Sequence, residues 1–178
     1  MKNIQKYHIS SRIIHWSMAI LIIGLLAIGI YMDEFLPKDA TYRGTVYSLH
    51  KSFGVIALIL ILIRIINRTA HKTPELPKTM PKWQIISAKI THFVLYILMF
   101  LMPLSGYLMS NSYGYPVFLF GLKMPTLAEK NYEMAKFFGE CHEVFGYSLI
   151  AIIILHIGTA LKHKFFDKKE HDVLPRML

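Results

Sequence analysis

Residues 140–163, ECHEVFGYSLIAIIILHIGTALKH, decide the fold. The centre of this stretch is apolar and long enough to cross a bilayer, yet it carries His142, His156 and, seven residues further on, His163. A helix turns about 100° per residue, so fourteen steps return a side chain to within about 40° of its starting direction and seven to within about 20°. All three histidines therefore share one face. At a rise of about 1.5 Å per residue, His142 and His156 stand roughly 21 Å apart along the axis, one toward each side of a hydrocarbon core about 30 Å thick. Ionisable groups at that depth are costly and mark function, so the stretch reads as a helix carrying two sites, one per leaflet.

The rest of the composition agrees with a membrane setting. A chain of 178 residues predicts one domain over its whole length, and a 54% hydrophobic content with a mean hydropathy of +0.41 exceeds that of an ordinary soluble domain. The single cysteine, Cys141, excludes an internal disulfide and any cysteine-based zinc or iron–sulfur cluster. The net charge of +9 does not point to nucleic acid, because the basic residues flank apolar runs, where they set topology.

Four spans follow from the apolar runs, at about residues 12–32, 47–66, 85–110 and 141–161. The first is too long for a signal-peptide core and has no small-residue cleavage site, so it is read as a retained anchor. Lys2, Lys6 and Arg12 precede or open it. Arg64, Arg68, Lys72, Lys78, Lys82 and Lys89 surround the second connection against Glu75 alone, and Lys162, Lys164, Lys168, Lys169 and Arg176 fill the tail. The first connection mixes Asp33, Glu34 and Asp39 with Lys38 and Arg43, and the third is similarly balanced. The positive-inside rule then places both termini in the cytoplasm, giving an all-α, four-transmembrane-helix bundle. The third connection, residues 111–140, holds an apolar piece, YPVFLFGLKMP, expected to lie in the interface and cover one end of the bundle.

This topology gives each histidine a height. His15 enters its span from the inner side and His50 from the outer side; His142 is outer and His156 inner. The result is one outer pair, His50 with His142, and one inner pair, His15 with His156, which suits two bis-histidine metal centres. Both outer histidines sit in H-x-x-F-G, with Gly54 and Gly146 one turn on, and both inner ones have an alanine at that offset, Ala19 and Ala160. A small residue one turn from a ligand leaves flat space on the helix face for a porphyrin, which bare zinc or copper would not need. Haem b fits: imidazole coordinates iron, bis-histidine ligation leaves no open position, and absence of C-x-x-C-H predicts non-covalent attachment. Any single histidine would serve equally as a polar contact between helices; four at paired depths with one shared offset argue for ligation.

Other polar residues are open to more than one reading. His163 shares the ligands' face and would meet a haem propionate, give a proton to a quinone, or simply sit at the interface. His92, early in the third span, has the same choices, and Tyr96 one turn on argues against axial ligation. Arg12, Arg64 and Arg68 suit either propionates or topology. Trp16 reads as an interfacial aromatic or as a wall of the inner haem. His8, His71 and His171 are expected to be solvated.

These residues also form a recognisable set. RIIHW in the first span, SLHKSFG opening the second, THFVLYILMFLMPLSGYLM in the third, FGLKMP in the third connection, and CHEVFGY followed by LHIGTALKH in the fourth resemble the bacterial cytochrome b561 family, in order and over essentially the whole chain. The resemblance implies a four-helix inner-membrane protein with two b haems, axial ligation by His15, His50, His142 and His156, electron exchange with ubiquinone, and, in part of the family, oxidation of periplasmic superoxide. The leading expectation is therefore an oxidoreductase that takes electrons from superoxide outside and reduces ubiquinone; outer Lys38, Arg43, Lys51, Lys123 and Lys130 would attract a small anion. Two alternatives stand beside it. One is a haem-bearing membrane subunit serving a partner dehydrogenase or hydrogenase, and the other a divalent-metal transporter with histidines along its path. A homodimer is compatible with either redox reading.

Overall fold

The computed structural model describes residues 5–77 and 79–178, so the topological lysines Lys2 and Lys78 lie outside the described residues. Four long helices dominate: α1 (Ile9–Ile30), prolonged by a π-helical turn Tyr31–Phe35, α2 (Arg43–Ala70), α3 (Lys82–Ser112) and α4 (Tyr132–Phe165). All four are long and apolar enough to cross a membrane. Each contains the span expected of it and runs past it at both ends, α1 doing so only together with its π-helical turn. Hydropathy marks only the part that lies in hydrocarbon, whereas a helix satisfies its own backbone and continues into the interface. α3 likewise runs through Pro103, which removes one backbone donor in mid-helix.

The largest departure is at α4, which begins at Tyr132 and not at Cys141. Asn131 caps it by accepting from the Met134 amide at 3.1 Å, and Glu133 lies in the first turn against the positive end of the helix dipole. The third connection is correspondingly shorter than the expected residues 111–140.

α3 and α4 share the longest interface, with α1 against α2 and α2 against α3 completing the bundle. Its core is Met18 and Ile22 of α1, Ile61 of α2, Leu95 and Leu98 of α3, and Leu149 of α4. In sequence this layer falls between the two expected histidine heights, since Met18 follows His15 by one turn and Leu149 lies midway between His142 and His156. Large apolar side chains such as Ile20, Ile66 and Phe93 face outward, as lipid contact requires.

At one end the third connection folds into a β-hairpin, β1 (Phe118–Leu119) with β2 (Leu122–Lys123). Its two turn residues, Phe120 and Gly121, both have positive φ, 47° and 95°, which matches the right-handed twist of the strands. Ser52 of α2 staples the hairpin down: its hydroxyl donates to the Phe118 carbonyl at 2.9 Å and accepts from the Phe120 amide at 3.2 Å. Phe120 packs edge-on against Phe53, with ring centres 5.3 Å apart. The apolar piece thus does cover something, the end of α2 beside His50.

The opposite end is closed by the chain's own termini. The Tyr7 amide donates to the Arg176 carbonyl at 3.0 Å, Arg176 Nη1 to the Glu75 carbonyl at 2.8 Å, and Trp16 Nε1 to the Met177 carbonyl at 2.9 Å. The N-terminal segment, the second connection and the tail, all basic, therefore meet at one end. His171 is buried there, 7% exposed and 3.1 Å from Thr79 Oγ1, contrary to the solvated position expected of it. A polar tail offers no hydropathy signal that it will fold back on a neighbouring loop.

Ser52→Ala should lower thermal stability by about 1–3 kcal/mol, since two hairpin backbone groups lose their partner. Amide hydrogen exchange should rise across residues 118–123, and a unchanged exchange rate there would contradict the staple.

Candidate functional site: two histidine pairs

α4 presents a histidine at two heights, and a different helix meets each one. His156 faces His15 of α1 with ring centres 6.3 Å apart and planes at 75°; His142 faces His50 of α2, again at 6.3 Å, with planes at 83°. A metal–nitrogen bond of about 2 Å on each side, plus about 1 Å from nitrogen to ring centre, spans about 6 Å. Each pair therefore has room for one metal atom between its rings, twice over and at the same spacing.

Around His50 and His142 lies a cavity of about 330 Å³. Every helix contributes at least one glycine to its wall: Gly29, Gly54, Gly106, and both Gly139 and Gly146 of α4. A glycine inside a helix costs about 1 kcal/mol relative to alanine, so five around one space need a reason. A Cβ on Gly54 would meet no atom within 4 Å and would project into empty space, and one on Gly146 would touch Met102 Cε at 3.4 Å. Gly106 is tighter, since a Cβ there would sit 2.7 Å from His142 Cε1. The glycines thus keep side chains away from the space around the two rings, which a planar macrocycle would need. Val117, from the hairpin connection, also lines the cavity.

Second contacts orient the rings. His142 Nδ1 donates to the Met102 carbonyl at 2.9 Å and lies 3.2 Å from Ser105 Oγ, which leaves Nε2 as the free lone pair. His50 Nδ1 is buried and has no hydrogen-bond partner among the described residues. Sequence reasoning missed the third helix's share in this site; the one available signal was MPLSG, where a proline in a span leaves the helix locally irregular beside a glycine.

The other pair is set among cations and aromatics. His15 Nδ1 lies 3.1 Å from Arg64 Nη2, and Arg64 Nε donates to Tyr96 Oη at 3.3 Å. Trp16 stands edge-on to His15 at 5.3 Å while its indole N–H holds the tail, so it is both a wall of the pair and an interfacial contact. His92 is brought beside His156, with ring centres 5.3 Å apart, and its Nδ1 donates to the Ala88 carbonyl at 2.7 Å. Arg12 Nε is buried without a partner among the described residues.

His163 shares the face of α4 but is drawn toward the tail. It is 6% exposed and its Nδ1 lies 2.7 Å from Asp167 Oδ2. Asp167 lies beyond α4, and hydrogen bonds from Lys162 first, then from His163, hold its carboxyl below the ordinary value of 3.8 against a contribution from desolvation. A depressed carboxyl stabilises the fold above its unfolded value, and the contribution is lost as pH falls through the folded one.

Four helices long and apolar enough to cross a membrane, carrying two imidazole pairs of which one borders a largely apolar, glycine-lined cavity, fit a membrane electron-transfer protein of the haem-binding class. The chain belongs to the prokaryotic cytochrome b561 family, whose sequence profile matches residues 6–178. The family is one of four-helix membrane proteins that bind haem b and transfer electrons. Among its relatives, cytochrome b561 homolog 2 of Escherichia coli (strain K12) is 34% identical over 177 residues, 98% of this chain and 92% of the relative. A probable superoxide oxidase CybB of Yersinia pestis is 29% identical over 157 residues, 87% of this chain and 86% of that one. Cytochrome b561 homolog 1 of E. coli (strain K12) is 25% identical over 158 residues, 87% and 88% of the two chains.

Gly106→Ala should push the His142 ring aside and cut haem content per chain while leaving the helices intact. Absorbance in the haem region against protein concentration, together with circular dichroism, checks this; full haem content in the variant would show that the ring tolerates the methyl group.

Proposed function

We propose that this chain, acting as a single domain of the bacterial inner membrane with both termini in the cytoplasm, carries single electrons from superoxide outside to ubiquinone in the membrane. Two non-covalent b haems would be held, the outer by His50 and His142 and the inner by His15 and His156. The observation that carries the reading is the recurrence of one ring separation, 6.3 Å, at two depths on the same helix. The basic segments that meet at the inner end support the orientation, and the name of the Yersinia pestis relative supports the donor.

When bound, the haems supply one-electron chemistry. Two imidazoles per metal would leave no open position, so superoxide and ubiquinone would exchange electrons at the edges of the site. The protein's own part is to hold the rings, exclude water and bring the substrates near. Lys51 follows His50 and lines the outer cavity, which makes it the best placed of the outer cations to attract an anion; Arg43, by contrast, donates to the Leu36 carbonyl and to Tyr47 Oη. Two superoxide ions each lose one electron to give two dioxygen molecules, and one ubiquinone takes up the two electrons with two protons to give ubiquinol.

Haem content and spectra of single His→Ala variants test the pairing. Changes at His50 and His142 should remove the same spectral component, and changes at His15 and His156 the other. For the donor, superoxide pulses should reduce the purified oxidised protein within the mixing time scale of stopped flow, and superoxide dismutase should abolish the signal. No reduction by superoxide would rule out the donor while leaving the haem assignment standing.

A further inference from the structure

We infer that the hairpin of the third connection is re-entrant: it dips beside the His50–His142 pair into the leaflet at that end of the bundle, with Phe120 and Leu122 seated among the acyl chains. This placement does not depend on the two-haem reading above. It follows from the path of the chain, the backbone contacts of the hairpin and the side chains left exposed at its tip.

The third connection turns back toward the membrane before it reaches α4. α3 ends at Ser112, yet Pro125 is held at the level of Tyr107, whose hydroxyl donates to the Pro125 carbonyl. The chain then climbs again, through the Leu127 amide on Asn111 Oδ1 at 2.8 Å, to the Asn131 amide on the Ser112 carbonyl at 2.9 Å. At the low point Val117 forms a buried cluster with Val55 of α2 and Tyr107 of α3. Tyr107 adjoins Gly106, against which the His142 ring packs, so the hairpin lies level with the His50–His142 pair. At about 1.5 Å per residue, Val55 stands about 12 Å inside the apolar run of α2 that opens near residue 47, and Tyr107 about 5 Å inside the run of α3 that closes near residue 110. Those depths belong to the acyl chains and their boundary with the headgroups.

A hairpin at that depth needs its backbone groups satisfied. The two strands pair with each other, the Met124 amide donates to the Val117 carbonyl at 3.0 Å, and Ser52 takes up the Phe118 carbonyl and the Phe120 amide on the side facing α2. Between Tyr113 and Leu122 the sequence, YGYPVFLFGL, carries no charge, and the stem of Lys123 is long enough to bring its ammonium toward the headgroups. The tip points to an apolar occupant from outside the chain. Phe120 has a φ of 47°, a left-handed conformation in which asparagine or glycine is usual and a bulky side chain is disfavoured. The protein recovers little from the ring, which meets Phe53 edge-on and is 59% exposed; Leu122, just past the turn, is 66% exposed. Phe53 shares a face of α2 with Leu49 and Ile63, both exposed, and that face meets lipid. The tip is thus continuous with the lipid-facing surface of α2, and acyl chains are the occupant that fits it. Lipid on one side and Ser52 on the other then hold Val117 in the cavity wall.

Two labels applied to the unaltered protein in phosphatidylcholine vesicles, each mapped by peptide mass spectrometry, test this. One is a carbene precursor dissolved in the acyl chains, and the other is hydroxyl radical generated in the water. Carbene adducts should appear on Phe120 and Leu122 as they do on Phe53. Hydroxyl radicals should modify Tyr132, exposed at the start of α4, and spare Phe120. Hydroxyl-radical adducts on Phe120 without carbene adducts there would overturn the placement in the leaflet. So would the absence of both, since protein, such as a second copy of this chain, would then cover the tip in place of lipid.

Discussion

Two pairs of imidazole rings, each spanning two helices, stand at the same 6.3 Å separation at two levels of one bundle, and the packing of the four helices sets that separation. Rings can be placed so consistently only on helices whose backbones are internally hydrogen-bonded and whose neighbours are close-packed. α4 carries one ring of each pair, with Leu149 fully buried between them. The core of Met18, Ile22, Ile61, Leu95, Leu98 and Leu149 then acts as the spacer that keeps the two sites apart and the helices in register.

The two ends of the bundle are finished differently. Over the His50–His142 pair the chain builds a roof, a hairpin stapled through Ser52 and continued by Val117 into the cavity wall. At the opposite end it closes with hydrogen bonds among the N-terminal segment, the second connection and the tail. The same asymmetry extends to the histidine pairs, where a carbonyl faces one ring and a guanidinium another.

Hydropathy and helical periodicity were legible without coordinates because each depends on residues close in sequence. The spans, the common face of His142, His156 and His163, and the small residue one turn from each paired histidine are of this kind. Charge counting likewise grouped the three basic segments that the fold brings to one end. The start of α4 was not legible in this way: residues 132–140, YEMAKFFGE, are too polar to register as a span, and only the Asn131 cap marks the helix start.

By itself, then, the sequence determined the number of helices, their apolar lengths and the heights of the histidines, since bilayer thickness and a turn of about 100° per residue leave little freedom in those quantities. Tertiary structure alone decided which groups surround those histidines. Arg64 against His15, the Met102 carbonyl and Gly106 against His142, His92 beside His156 and Asp167 on His163 depend on how helices rotate and tilt against one another. That rotation is set by the summed packing of many side chains, and no local pattern in the chain records it.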